Sequence, residues 1–160
     1  MKIKRMQLMK IRSVADYQFG KGAGEALFPQ NVEVEVSKKT GRIRYIYLDG
    51  IRLATLRATD GYFTLSLEGA KRLIEGMENP RLWVVVKDEA TPFIARGKSV
   101  FAKYVEDADE EIRPKDEVVV LDGKGEVIAV GKAKLSGRGM KAFRRGVAVQ
   151  VRRGIAEGES

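Results

Sequence analysis

Residues 113–134 run RPKDEVVVLDGKGEVIAVGKAK, and residues 140–153 run MKAFRRGVAVQVRR. Arg113-Pro114-Lys115-Asp116 has the composition of a turn, and Glu117–Leu121 behind it is an apolar, β-branched run. The tight loop Asp122-Gly123-Lys124-Gly125 then returns the chain into a second such run, Glu126–Lys134. Two strand-like runs joined by a Gly/Asp loop predict an antiparallel pair. Ser136 is placed to cap a short helix carrying Met140 and Phe143. Gly146–Arg152 predicts a last strand, with Val147, Val149 and Val151 inward and Ala148, Gln150 and Arg152 outward. Short strands bounded by turn residues, with short helices between them, predict a small closed or nearly closed β-barrel.

Upstream, Leu82–Val86 has the look of a buried strand. A short helix is expected over Ala90–Arg96, closed by Gly97, and a strand over Ser99–Val105. The boundary of this half falls near Asn79-Pro80. Before it, Val32, Val34 and Val36 alternate with Glu33 and Glu35, Lys38–Gly41 signals a turn, and Arg42–Leu48 and Ile51–Arg57 flank Asp49-Gly50. Asp-Gly between strand-like runs predicts a type I′ hairpin, which needs φ > 0 at both positions. Asp60-Gly61 repeats the signal before Tyr62–Leu65, so an antiparallel meander is expected. Ser66 then caps a helix with Leu67, Ala70, Ile74 and Met77 on one face, stopped by Gly76 and Pro80. Ser13–Phe28 is expected to hold another short helix around a glycine-rich turn. The fold class is α+β in two domains, 1–79 and 80–154, with 155–160 a flexible tail.

The 160 residues include no cysteine and no histidine. Disulfides, thiol nucleophiles, cysteine-rich zinc sites and imidazole chemistry are thereby excluded. No apolar run approaches the ~20 residues that span a bilayer, and MKIKRMQLMKIRS at the start is basic without an apolar core, unlike a signal peptide. A cytoplasmic protein without a membrane partner is expected. Scarce glutamine and asparagine (four and two) beside 32% charged residues lean towards a thermophilic source.

The net charge is +8, and it is segregated. Residues 2–12 hold Lys2, Lys4, Arg5, Lys10 and Arg12 without an acid. Residues 130–155 hold Lys132, Lys134, Arg138, Lys141, Arg144, Arg145, Arg152 and Arg153, again without one. Nine acids lie between positions 106 and 126. If the basic segments share a face, that face tracks phosphates, and the acidic segment is expected to point elsewhere. Arginine forks suit phosphate oxygens, so Arg144, Arg145 and the outward Arg152 are candidate phosphate contacts, with Gly146 permitting close backbone approach. Phe101 and Phe143 are candidates for stacking on unpaired bases, although core packing is the expected role of at least one of them.

Other motifs carry less. Lys21–Gly24 (KGAG) lacks the Gly-Lys-Ser/Thr ending of a Walker loop, and Gly97-Lys98-Ser99 lacks the upstream glycine, since position 92 is Pro92. Both are turns. Asp107–Glu111 is a solvated loop rather than a divalent-ion site. No pair of carboxylates stands out for acid–base work. No catalytic role, cofactor or metal is expected.

Four stretches in order, Gly97–Val105, Arg113–Val118, Leu121–Gly131 and Arg145–Val149, resemble the PUA domain, a small pseudo-β-barrel that binds structured RNA. In the first half, Ala15–Gly20, Lys39–Arg44, Tyr47–Gly50 and Asp60–Ser66 resemble the domain that precedes the PUA module in archaeal tRNA-guanine (archaeosine) transglycosylases. The chain is thus expected to be a stand-alone PUA-domain protein similar to the C-terminal part of such an enzyme. The family's catalytic barrel, with its aspartate nucleophile and zinc site, has no counterpart here.

The resemblance implies binding of tRNA at its acceptor stem and 3′ end, in connection with tRNA modification. By position it implies two contact segments: Arg96, Gly97, Lys98, Ser99, Phe101 and Lys103, and Met140, Lys141, Arg144, Arg145, Gly146 and Val147. A second reading makes the chain an accessory subunit that docks a separately encoded archaeosine-pathway enzyme through the first-half sheet and delivers tRNA to it.

Overall fold

In the computed structural model, which describes residues 1–157, Ile11, Ala15 and Phe19 recur every four residues and are buried. That spacing is one face of a helix, and it forms the core side of α1 (Arg5–Phe19). The helix begins eight residues before the expected Ser13, because Gln7 accepts a hydrogen bond from the Lys4 backbone N–H at 2.9 Å and secures its first turn. Gly20 (φ 105°) ends it, and the short α2 (Ala23–Leu27) follows. The Asp16 carboxylate accepts from Gly24 N–H at 2.7 Å, so KGAG is a turn that runs into the first residues of α2.

Strands β1 (Glu33–Val36), β2 (Ile43–Leu48), β3 (Ile51–Leu56) and β4 (Phe63–Leu65) form an antiparallel sheet in chain order, the expected meander. Asp49 (φ 51°) and Gly50 (φ 80°) both take the left-handed conformation that the β2–β3 turn requires. Register sets Val34, Ile46, Ala54 and Leu65 side by side on one face, all buried. The helices contribute Phe19, Leu27, Phe28 and Leu73 to the buried core, where the rings of Phe28 and Phe63 pack 5.3 Å apart. Tyr17 stacks on Tyr62 at 6.0 Å, and the neighbouring Tyr17 phenol raises the pKa of Tyr62 above its ordinary value.

Helix α3 (Leu67–Gly76) starts at Ser66, whose hydroxyl accepts from Gly69 N–H at 3.0 Å and donates to the Leu53 carbonyl at 3.1 Å. Ser66→Ala removes both bonds. The expected loss is about 1 kcal/mol of unfolding free energy, read by chemical denaturation. An unchanged midpoint would contradict the cap.

The chain divides at Pro80 into two units, and the second begins at Arg81. Its sheet runs β6-β10-β9-β8-β5-β7. The members are β5 (Trp83–Val86), β6 (Val100–Phe101), β7 (Val105–Ala108), β8 (Glu117–Leu121), β9 (Val127–Ala133) and β10 (Val147–Gly154). A 3-10 turn and α4 (Thr91–Ala95) follow β5, and α5 (Gly137–Ala142) precedes β10. The Ser136 hydroxyl caps α5 by accepting from Gly139 N–H at 3.0 Å.

The strand expected over Ser99–Val105 is instead two strands. β6 pairs with β10 at one edge of the sheet and β7 pairs with β5 at the other, with a 3-10 turn at Ala102–Tyr104 between them. This stretch carries the chain from one edge to the other and nearly closes the barrel, which leaves few unpaired edge groups. The overall class is the expected α+β.

Val118, Val119, Val120, Ala129, Val130 and Val149 are fully buried. Ala148, expected outward, is also fully buried: Lys134 N–H bonds its carbonyl and the register shifts between Val147 and Val149. Part of the expected tail is tied down, since Ile155 N–H donates to Ile128 and Ala156 N–H to Ala95, at 2.9 and 2.7 Å. Positions 158–160 of that tail lie outside the described residues. Among the described residues, no helix is long and apolar enough to cross a membrane.

Candidate nucleic-acid interface

The two segments singled out in the sequence meet in the second unit. Phe101 of β6 faces Val147 of β10, and Ala102 N–H donates to the Gly146 carbonyl at 2.9 Å. Arg96, Gly97, Lys98 and Ser99 lead from α4 into β6, while Phe143, Arg144, Arg145 and Gly146 lead from α5 into β10. One edge of the barrel therefore brings together residues 96–103 and 143–147.

Arg96, Lys98, Lys103, Arg144 and Arg145 are all exposed. Among the described residues, none of them has a carboxylate partner, and the Lys103 ammonium sits 5.0 Å from the centroid of the Tyr104 ring. The edge thus presents cations that internal ion pairs do not neutralise. Gly146 is exposed at φ 94°, and a Cβ there would meet no atom within 4 Å. A ligand backbone can come close at this point.

Phe101 and Phe143 are both solvent-facing, at 48% and 56% exposure, so neither is barrel core as expected for at least one of them. Phe101 lies at the sheet's edge beside Val147, and Phe143 folds over Gly139, where its ring carbons lie 3.3 and 3.5 Å from an ideal Cβ position. Phe93 is also exposed, at 60%, on the same helix that leads to Arg96. The sequence reading did not select it. No spacing marks it as exposed: Phe93 stands three residues after the buried Ala90 and next to the buried Ile94, a position that reads as core.

Other members of the expected set sit differently. Met140 is fully buried in the core, so its side chain is absent from the surface. Gly97 (φ 101°) is covered by the chain's own Glu157, whose Oε1 lies 2.8 Å from where a Cβ would stand. Arg152 forms a two-pronged ion pair with Glu117, a buried acid; Nη1 donates to Oε1 at 2.8 Å and Nη2 donates to Oε2. Lys141 lies 3.4 Å from Asp107, and Arg138 lies 3.9 Å from Glu110.

The last two pairs place Arg138 and Lys141 of the basic 130–155 segment beside carboxylates of the acidic segment, which was expected to point elsewhere. Asp109 and Asp116 of the same segment serve the backbone. Asp109 accepts from Leu82 and Glu111 N–H, and Asp116 accepts from Arg113 N–H, at 2.7–3.0 Å. Among the described residues, no cluster of three or more His, Cys, Asp or Glu is placed to hold a metal ion.

Comparison with known proteins agrees with this architecture. Residues 83–155 match the PUA domain. Residues 9–80 match the patch-forming domain C2 of tRNA-guanine transglycosylase, and the whole resembles the C-terminal region of the archaeal tRNA-guanine(15) transglycosylases. The enzyme of Thermococcus kodakarensis is 52% identical over 145 residues, which cover 91% of this chain and 25% of that protein. The enzyme of Pyrococcus furiosus is 51% identical over 150 residues, covering 94% of this chain and 25% of that protein. The chain spans about a quarter of the length of these relatives.

Among solved structures, a hypothetical protein of Pyrococcus horikoshii superposes with a TM-score of 0.77 at 25% identity, covering 98% of this chain and 94% of the other. A conserved PUA domain protein of Thermoplasma acidophilum shares the fold, with a TM-score of 0.69 at 23% identity over 98% of this chain and 93% of the other.

Proposed function

We propose that the chain is a non-catalytic RNA-binding protein that recognises tRNA at its acceptor stem and 3′ end, in connection with tRNA modification. The observation that supports this reading is the β6–β10 pairing, which joins residues 96–103 and 143–147 around an exposed glycine and two exposed phenylalanines. A-form helices are read by shape, phosphates and 2′-hydroxyls across the shallow minor groove, and unpaired ends by stacking. Arg144 and Arg145 supply bidentate donors for stem phosphates, and Arg96, Lys98 and Lys103 extend the charge on either side of β6. Phe101 and Phe143 offer ring faces to unpaired 3′ nucleotides. The relatives act on tRNA by name, and the match to them lies in both units.

An acceptor-stem minihelix with its 3′ single strand is expected to displace intact tRNA about as well as unlabelled tRNA does. A minihelix that fails to compete, while the rest of the tRNA succeeds, would overturn the acceptor reading. Replacing Glu110 and Glu111 with alanine is expected to leave tRNA affinity unchanged or slightly improved, because it releases Arg138 and removes two repelling charges. A clear loss in the same titration would mean that the acidic loop itself contacts RNA.

A further inference from the structure

An acid stands against the cationic segment that leads into β6. Gly97 lies between the exposed Arg96 and Lys98, and Oε1 of Glu157 is 2.8 Å from where a Cβ of that glycine would be. The backbone holds this carboxylate in place. Oε1 accepts from Gly154 N–H at 2.7 Å, and Glu157 N–H donates to the Gly154 carbonyl at 3.2 Å. Ala156 N–H ties the turn to the end of α4 by donating to the Ala95 carbonyl at 2.7 Å. Gly154 itself is wedged there, since a Cβ on it would stand 2.3 Å from the Ala95 carbonyl oxygen. Two glycines, 97 and 154, are what let the acid sit at this point.

The carboxylate keeps acceptor capacity. Its ion pair with Arg153 is loose, because Oε2 lies 3.7 Å from Nη1, beyond hydrogen-bond length. The Glu157 side chain is 29% exposed, so a ligand can reach it. A carboxylate offers about four acceptor positions, and Gly154 N–H takes one of them. The sign of the charge selects what approaches. A phosphate brings acceptors and negative charge, and a carboxylate repels it. The donors that an RNA strand carries along its backbone are the ribose 2′-hydroxyls. Arg96 and Lys98 flank the glycine that the acid covers, so the order cation, carboxylate, cation matches phosphate, hydroxyl, phosphate along a strand.

We propose that Glu157 accepts a hydrogen bond from a ribose 2′-hydroxyl of the bound RNA and is thereby a specificity-determining residue of this edge. The proposal rests on the reading above that the edge binds tRNA. The test titrates the full chain near physiological salt with two acceptor-stem minihelices, one of ribose and one with 2′-fluoro sugars throughout. The fluorine keeps the A-form geometry and removes the hydroxyl donor. The wild-type protein is expected to prefer the ribose minihelix by at least about tenfold, the order of one hydrogen bond to a charged group. Glu157→Ala should shrink that preference about tenfold.

Glu157→Gln keeps an acceptor for Gly154 N–H, should melt with the wild type by circular dichroism, and should retain part of the preference, because a neutral acceptor bonds more weakly than a charged one. An undiminished preference in Glu157→Ala would overturn the proposal. So would an equal gain in affinity for both minihelices, which would make the acid a mere repeller of phosphates. An equal loss for both would assign Glu157 to a base amino group or to the fold, and would overturn it too. In each of these cases the tRNA reading stands as long as the ribose minihelix binds better than an unstructured RNA of equal length. A wild-type protein that binds those two RNAs alike would overturn the reading and the proposal together.

Discussion

Replacing Arg144 and Arg145 together with alanine is expected to weaken tRNA binding about a hundredfold near physiological salt and to flatten the salt dependence by about two slope units. Both side chains are exposed, unpaired among the described residues, and sit at the mouth of β10 beside Gly146. They reach this position because the Gly146 carbonyl is fixed by Ala102 N–H, so the loop has a defined geometry. Since neither side chain is buried, the variant should keep its melting temperature. The salt slope is the discriminating quantity, because a bare loss of affinity could reflect reduced net charge alone. Unchanged affinity and slope would remove the β6–β10 edge from the RNA contact.

The second large effect concerns stability. Arg152→Ala takes the guanidinium from Glu117, whose side chain is 1% exposed, whereas that of Arg152 is 39% exposed. Stripping a buried carboxylate of such a partner costs about 3 kcal/mol. For a unit of this size, the melting temperature should fall by more than ~10 °C. Replacing both residues with leucine should restore most of the loss, because a well-packed apolar pair can substitute for a buried ion pair. Measured where the variant remains folded, Arg152→Ala should leave the salt slope for tRNA intact. A normal melting temperature with a slope lower by about one unit would instead make Arg152 a phosphate contact.

Local signals in the sequence carried far where the deciding physics was local. Asp49-Gly50 specified its turn because few residues tolerate two successive positive φ angles. Ser66 and Ser136 marked helix starts through hydroxyls that satisfy backbone N–H groups. The valine-rich run after Asp116 is the barrel core. The division of Ser99–Val105 was not legible, because that segment switches edges to close a sheet whose partners are distant in sequence. The burial of Ala148 likewise depends on the register of β10, not on its own alternation.

The candidate site divides in the same way. Charge segregation pointed to Arg144 and Arg145, whose exposure needs little tertiary context, whereas Lys98 came only from the resemblance. Met140, Gly97 and Arg152 were not legible, because their roles depend on what the fold brings to them: the core, Glu157 and Glu117.

The most direct test of the central claim is a titration at about physiological ionic strength with three RNAs: intact tRNA, the same tRNA lacking its 3′ single-stranded end, and an unstructured RNA of equal length. Tight binding to intact tRNA, weakened by trimming and weaker still for the unstructured RNA, is the predicted result. Equal, weak binding to all three would contradict it and reduce the basic surface to generic attraction for polyanions.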